Sequence, residues 1–365
     1  MLQVIQGWYR RNFSDPQAVI LALVLIVGFS IVLLVGDILA PVLIALIFAY
    51  MLESVVQTMQ RWHIPRLLAV SLVLLAFVVL AAIMLFGLVP LLSRQVASLL
   101  REFPAMVTTG QAALMKLPQM NPALFTEEQI RNLIDAMHAE LADFGKAVLS
   151  VSLAQAVSVF TFIVYVVLIP LLVFFLLKDK DRLVSWSQHF LPHGSELTFQ
   201  VWHEVDAKIG NYIRGKAIEI AIVWFVSYAT FALMGLNYSL LLSFLVGLSV
   251  IIPYVGAIAV TFPIALIAYF QWGFAPETGW VMVAYLVIQM LDGNVLVPIL
   301  FSEVVNLHPV AIIVAVLFFG GLWGVWGVFF AIPLATLVQA VLNAWPRVQP
   351  PDEDDSATPS TEGSA

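Results

Sequence analysis

Runs of apolar residues long enough to cross a lipid bilayer recur along most of this chain, and they constrain its fold more than any other feature. A helix needs about 20 mainly apolar residues to cross a hydrocarbon layer of ~30 Å. The stretch AVILALVLIVGFSIVLLVG, at 18–36, already meets this requirement. Hydrophobic residues make up 62% of the chain and charged residues 11%, compared with about 45–50% and about 25% in soluble domains. The sequence therefore predicts an all-α, polytopic membrane protein.

About eight hydrophobic units are predicted, and polar segments separate some of them. The first two units, at 18–36 and 38–52, are expected to form a tight pair around Gly36 and Asp37. In chain order the predicted parts are a cytoplasmic N-terminal segment at 1–17, the first three membrane spans at 18–90, an extracytoplasmic amphipathic helical segment at 91–151, the fourth span at 152–177, a cytoplasmic amphipathic segment at 178–212, a core with two interrupted helical hairpins at 213–346, and a disordered acidic cytoplasmic tail at 347–365.

Lysine and arginine residues predict the orientation of the chain in the membrane. Basic residues flank the first, second and fourth units on what would be one side if each long unit crosses once. These residues are Arg10, Arg11, Arg61, Arg66, Lys178, Lys180 and Arg182. By the positive-inside rule this side is cytoplasmic, so both termini are predicted to be cytoplasmic. The bases within 91–151 do not contradict this orientation, since long loops are translocated largely regardless of charge.

The two longer polar segments show helical periodicity. Thr126 and Gln129 have the spacing of a capping box at the start of TEEQIRNLIDAMHAELADFGKAV. Apolar residues then follow at the period of a helix, as they also do in ELTFQVWHEVDAKIGNYIRGK from Glu196. The first helix is expected to lie on the bilayer or against a neighbouring subunit, and the second at the cytoplasmic interface.

Two patterns imitate catalytic or ligand-binding motifs. The stretch GNYIRGKA, at 210–217, has the spacing of a phosphate-binding loop, but Ala217 stands where that loop needs Ser or Thr. A metal site at His189, His193 and His203 is not expected, because Pro192 breaks the helical register between the first two histidines. We therefore predict no enzyme activity, no catalytic residues, no cofactor and no metal.

A repeated glycine and proline pattern marks the C-terminal core. PYVGAIAVTFPIA, at 253–265, and GVWGVFFAIPLA, at 324–335, each have a Pro or Gly, then a Gly three residues later, then Pro-Ile-Ala or Pro-Leu-Ala. Each lies within an apolar run longer than one crossing needs, so two shorter arms joined by a break are expected. Non-helical backbone at membrane depth is tolerated where protein or a water-filled cavity satisfies it, and a matched pair of breaks favours a transport site. Close helix packing through Gly320 and Gly324 is the alternative.

Acidic residues in or near the spans are the other candidates for function. Asp37, Glu53, Glu219, Asp292 and Glu303 are costly at mid-bilayer unless they are paired or hydrated. No Lys or Arg occurs between Lys216 and Arg347, so we expect Asp292 to hold a cation or exchange a proton. A hydrated acid near a turn is the alternative. The candidate pathway residues are Pro253, Gly256, Pro263, Asp292, Asn294, Pro298, Gly324, Gly327 and Pro333, and those for ion coupling are Asp292, Glu219 and Glu303.

Several stretches resemble the autoinducer-2 exporter family, in particular its permease branch. They are LVPLLSRQVASLLREFP, NYIRGKAIEI, IIPYVGAIAVTFPIA and the C-terminal block from DGNVLVP to VLNAW. The resemblance covers about residues 15 to 346 and excludes the acidic tail. It implies a bacterial inner-membrane transporter of about eight spans that forms a homo-oligomer, with a pentamer as the expected form. Its relatives export the furanosyl signal or exchange sodium or lithium for protons.

Three functions follow from these observations. The first is an inner-membrane permease or exporter of a small polar solute, without ATP hydrolysis. The second is a sodium (or lithium)/proton antiporter with the same architecture, which would use a monovalent cation. The third is a membrane scaffold that docks partner proteins through 91–151. No nucleic-acid partner is expected.

Overall fold

The structure is a computed structural model that describes residues 16–115, 128–129, 132, 158–189, 196–301 and 307–344. Over these residues the regular structure is helical. The α-helices are α1 (Pro16–Arg61), α2 (Arg66–Ile83), α3 (Val89–Leu114), α4 (Ser158–Lys178), α5 (Lys180–Gln188), α6 (Glu196–Leu233), α7 (Ser239–Ser249), α8 (Val255–Trp272), α9 (Pro276–Leu291), α10 (Val297–Phe301), α11 (Pro309–Phe329) and α12 (Ala331–Ala344).

Six helical segments within the described residues are long and apolar enough to cross a membrane. These segments are Ile38–Arg61, Arg66–Ala112, Val201–Leu233, Val255–Trp272, Pro276–Phe301 and Pro309–Phe329. Shorter apolar helices lie at Ile20–Ser30, Val164–Lys178, Ser239–Ser249 and Ala331–Asn343. The prediction of an all-α, polytopic membrane protein is confirmed.

The first helix differs from the predicted pair of spans. α1 is continuous through Gly36 and Asp37, so the expected turn at these residues is wrong. Gly36 instead serves packing, since a Cβ added there would lie 2.7 Å from the indole Nε1 of Trp323. The missing side chain makes room for a tryptophan from the far end of the sequence.

The third hydrophobic unit also continues further than predicted. α2 passes through a π-helical turn, Met84–Leu88, directly into α3. The boundary expected between 90 and 91 therefore lies within a helix. Most of the predicted helix that begins at Thr126 lies outside the described residues, so its docking role stays a prediction.

A buried glutamate forms ion pairs with residues of two basic segments at one end of the fold. Glu53, at 6% exposure, lies 3.4 Å from Arg66 Nη2 and 4.0 Å from Lys180 Nζ. Arg66 Nη2 also donates to the carbonyl oxygen of Leu177 at 2.6 Å, at the end of α4. The segments that carry Arg66 and Lys180 therefore share one end of the molecule.

Helix α6 is central to the fold, since it packs against α1, α7, α9, α10 and α12. Its tightest contact is with α7, where a Cβ added at Gly247 would lie 2.7 Å from Trp224 Cβ. The largest buried apolar cluster joins α6 to α7, α8 and α9 and includes Phe231, Ile264 and Val281. The candidate site is built against this central helix.

The contact between Gly36 and Trp323 gives a first prediction. Gly36→Val should lower the free energy of unfolding by about 1–3 kcal/mol, because an overpacked core must displace its neighbours. Gly28→Val is the matched control, since Gly28 lies in the same helix with nothing within 4 Å of an added Cβ. Thermal unfolding in detergent micelles compares the two. Equal stabilities of the two variants would show that the close packing of Trp323 against Gly36 does not contribute to stability.

Candidate functional site

The first C-terminal hairpin consists of α7 and α8, and the chain between them is not helical. This first break covers residues 250–254, and it ends at Tyr254, whose φ of 63° lies in the left-handed region. Gly256 follows at the start of α8. A Cβ added to Gly256 would collide with the carbonyl oxygen of Ser249. Gly256 therefore lets the incoming and outgoing arms cross at backbone contact.

The second hairpin consists of α11 and α12, and its backbone departs from helical geometry within the repeated motif. Trp323 has φ −134° and Gly324 has φ 57°, so α11 is interrupted there, and a second change of direction occurs at Phe330. We call residues 323–330 the second break. A Cβ added to Gly327 would collide with the carbonyl oxygen of Phe319.

The two motif glycines thus occupy equivalent places. A Cβ added to Gly256 would meet the carbonyl oxygen seven residues earlier, and one added to Gly327 would meet the carbonyl oxygen eight residues earlier, so in each case it would meet the backbone of the preceding arm. Only glycine permits so close an approach of two backbones. The sequence repeat therefore has a shared structural cause, the crossing of two helical arms.

A third irregularity separates α9 from α10. Residues Asp292–Leu296 form a π-helical turn, which begins at the predicted acid. Single π-helical turns occur frequently at functional sites, because they redirect side chains from their regular helical positions. Here the turn leaves Asp292 half-buried and Asn294 exposed.

A cavity of about 460 Å³ lies where the first break, the π-helical turn and α6 meet. The first break contributes Val250, Ile252 and Pro253 to its lining. α11 and α12 add Ile312 and Ile332. The lining is mainly apolar, and its charged residues come from α6 and the π-helical turn.

Three charged side chains lie in this cavity: Lys216, Glu219 and Asp292. Lys216 Nζ lies 2.6 Å from Glu219 Oε2, and the two residues are 4% and 2% exposed. Asp292 interacts electrostatically with both. The expectation that Asp292 lacks a nearby cation is therefore wrong, because Lys216 belongs to the helix that packs against it.

Apart from the ion pair, two polar atoms of the cavity have no hydrogen-bond partner among the described residues. They are Asp292 Oδ1, an acceptor, and Gln289 Nε2, a donor. Glu219 Oε2 also lacks a hydrogen bond of good geometry, although Lys216 is close enough for an ion pair. Buried polar groups are normally satisfied. This arrangement is suited to a solute or water molecules that both donate and accept.

The residues predicted for the pathway and for ion coupling separate into two groups. Pro253, Asp292 and Glu219 line the cavity, and Gly256, Gly324 and Gly327 lie in the two hairpins around it. The others have different surroundings. Asn294 donates to the carbonyl of Met290 in its own helix, Pro263 is half-buried in α8, Pro298 is exposed, Pro333 is buried in α12, and Glu303 lies outside the described residues.

Sequence reasoning missed Tyr212, Lys216 and Gln289. A usable signal was present, since Lys216 precedes Glu219 by three residues in an otherwise apolar run, the spacing of neighbours on one helical face. The stretch GNYIRGKA is helical throughout, and its Gly215 admits the ring of Phe301, whose Cε1 would lie 2.8 Å from an added Cβ.

Comparisons with known proteins agree on one family. A family model described as AI-2E family transporter matches residues 19–347. The putative permease PerM of Escherichia coli K12 is 46% identical over 349 residues, which cover 96% of this chain and 99% of PerM. The AI-2 transport protein TqsA of the same organism is 26% identical over 329 residues, covering 88% of this chain and 92% of TqsA. The putative transport protein YueF of Bacillus subtilis is 25% identical over 82% of each chain.

The geometry of the cavity predicts selective chemical access. Because the chain contains no cysteine, single cysteines can be placed at Ser249, which lines the cavity, and at Ser243, which is fully buried in the same helix. Ser249→Cys should react with a small water-soluble thiol reagent in native membranes, and Ser243→Cys should not. Equal labelling rates for the two variants would contradict a water-accessible cavity.

Proposed function

The chain belongs to the AI-2E transporter family, and from this premise we propose that it moves a small polar solute through the cavity beside its two interrupted hairpins. It is a multi-pass membrane protein of a transporter family. The observation that carries the proposal is the pair of buried, unpartnered atoms, Asp292 Oδ1 and Gln289 Nε2, in a cavity of about 460 Å³. A solute that both donates and accepts hydrogen bonds would satisfy both of these atoms.

The position of the cavity supports passage of a solute as well as its binding. Broken helices at membrane depth are tolerated where they are buried in protein or line a cavity. In many transporters the substrate lies at discontinuous helices, and one bundle moves against another around it. The first break contributes residues to the lining here, so a movement of α7 against α8 would change the shape of the site.

The charges of the site support a polar substrate. A charged side chain inside a membrane is costly and usually faces a cavity or an opposite charge. Lys216 offsets one of the two carboxylates, which leaves the lining with one excess negative charge when all three groups are ionised. Transport without ATP hydrolysis is consistent with the helical conformation of 210–217, which leaves that stretch unable to form a phosphate loop.

The excess carboxylate also favours a second candidate function, exchange of a monovalent cation for protons. Glu219 and Asp292 are close enough to interact electrostatically, and Lys216 is the charged base in the same lining. Two acids that share one base can hold either a cation or a proton. A sodium- or lithium-dependent change of internal pH in proteoliposomes would identify this activity.

We further place the protein in the bacterial inner membrane, with the end that carries Arg66 and Lys180 in the cytoplasm, as the positive-inside rule requires. A homo-oligomer, with a pentamer as the expected form, is part of the same proposal. The cytoplasmic location of both termini stays a prediction.

Transport by this route depends on the crossing glycines. Gly256→Leu or Gly327→Leu should reduce solute counterflow in proteoliposomes about tenfold or more, since the collision is with backbone and costs at least about 1–3 kcal/mol. Membrane insertion should be unaffected. The assay screens small polar metabolites and monovalent cations with the wild-type protein first.

Two glycines provide matched controls for these variants. Gly279 lies in α9 and Gly321 lies next to the second break, and neither has an atom within 4 Å of an added Cβ. Gly279→Leu and Gly321→Leu should retain transport. If Gly256→Leu and Gly327→Leu also transport at the wild-type rate, the glycines serve packing alone and the proposed pathway is wrong.

Asp292 should control the pH dependence of transport. Asp292→Asn keeps the shape of the side chain and removes its titration, so flux through the variant should lose the pH dependence that the wild type shows. Flux is measured between about pH 5.5 and 8.5, the interval in which functional-site acids are often tuned to titrate. Profiles of the same shape would assign the coupling to Glu219, for which Glu219→Gln is the parallel variant.

A further inference from the structure

We propose that a single turn of α6, from Tyr212 to Lys216, couples the irregular segments around the cavity, so that releasing this turn from one break also loosens its hold on the other. Tyr212 and Lys216 are then positioning residues for both hairpins. The inference goes beyond the proposed function, because it holds whichever solute or ion the protein carries.

Lys216 holds the first break. Its ammonium nitrogen donates to the carbonyl oxygen of Val250 at 2.9 Å, and Val250 is the residue directly after α7. The last carbonyls of a helix have no partner within that helix. In an apolar interior such a group is costly unless another donor reaches it. Lys216 supplies this donor from a neighbouring helix.

Tyr212 holds the second break. Its hydroxyl group donates to the carbonyl oxygen of Phe329 at 3.3 Å, where α11 ends. The ring of Tyr212 also packs edge-on against the ring of Phe329, with centroids 6.5 Å apart. Tyr212 is 1% exposed, so water does not replace the bond. The same helix therefore satisfies one open carbonyl in each hairpin.

The π-helical connection reaches the same turn through Phe301 of α10. The Phe301 ring lies 5.7 Å from the ring of Tyr212 and 5.2 Å from Lys216 Nζ. It approaches α6 at Gly215, where a Cβ would lie 2.8 Å from it. Thus Tyr212, Gly215 and Lys216 contact the two breaks and the helix that follows the π-helical turn.

These contacts depend on one another. Tyr212 and Lys216 are four residues apart, so they lie on one face of α6. Lys216 Nζ is 6.0 Å from the centre of the Tyr212 ring and also lies against Phe301. When Tyr212 shifts with the second hairpin, the aromatic surroundings that hold the Lys216 ammonium change, and its bond to Val250 changes with them.

The test is amide hydrogen exchange of the protein in lipid nanodiscs, which requires no solute. Tyr212→Phe retains the ring and removes the hydroxyl donor. Exchange should become about fivefold faster in 320–332, which corresponds to the loss of one hydrogen bond of ordinary net strength. The coupling predicts that exchange also becomes faster in 249–258, the hairpin that the lost hydroxyl group does not contact.

Tyr285→Phe is the matched control. Tyr285 is also buried, and its hydroxyl group donates to the carbonyl of Ala257 at 2.7 Å, but it comes from α9 and reaches the first hairpin. Its removal should accelerate exchange in 249–258 and leave 320–332 unchanged. A second arm combines Lys216→Met with Glu219→Gln, which removes both members of the buried ion pair together, and this variant should accelerate both segments.

Two results would overturn the proposal. If Tyr212→Phe changes exchange in 320–332 alone, the turn caps each break separately and transmits nothing. If Tyr285→Phe affects both hairpins as strongly as Tyr212→Phe does, the loosening is general and does not belong to α6. Failure of either kind leaves the transport proposal intact, because counterflow measures it independently.

Discussion

A peptide group inside a bilayer has no water to bond with, and this constraint organises the C-terminal half of the protein. Breaking a helix there exposes carbonyl groups that must find donors elsewhere. The structure meets this requirement from one helix, α6, which sends Lys216 to Val250 and Tyr212 to Phe329. The crossing glycines, the cavity and the buried charges all depend on breaks that would be too costly without those donors.

The buried ion pair follows from the same requirement. A lysine that caps a carbonyl in an apolar interior carries a charge that needs compensation, and Glu219 provides it at 2.6 Å. Asp292, the next acid along the lining, is left with a buried oxygen that no described residue satisfies. The polar character of the cavity is thus a consequence of how the breaks are stabilised. A polar solute can bind to the polar atoms that are left without a partner.

The sequence was sufficient to predict the helical membrane fold and the two interruptions of the C-terminal core, because hydropathy and the Pro and Gly positions are local signals. It was not sufficient for contacts between distant segments. From the sequence, Gly36 could be either a turn residue or a packing residue. Its close contact with Trp323 in the structure identifies it as a packing residue. Lys216 was not predicted as a site residue, because its partner Val250 lies 34 residues away in the sequence and only the fold brings the two together. Asn294 was expected near the cavity, but it bonds its own helix after the π-helical turn changes the register.

The continuity of α1 has a consequence for the number of times that the chain crosses the membrane. With 46 residues and a rise of about 1.5 Å per residue, this helix is about 69 Å long, more than twice the ~30 Å hydrocarbon thickness. A straight helix of this length must run obliquely through the bilayer or extend beyond it. A single crossing by α1 would place its N-terminal end on the membrane face opposite Arg66 and Lys180, which conflicts with the prediction of a cytoplasmic N-terminus.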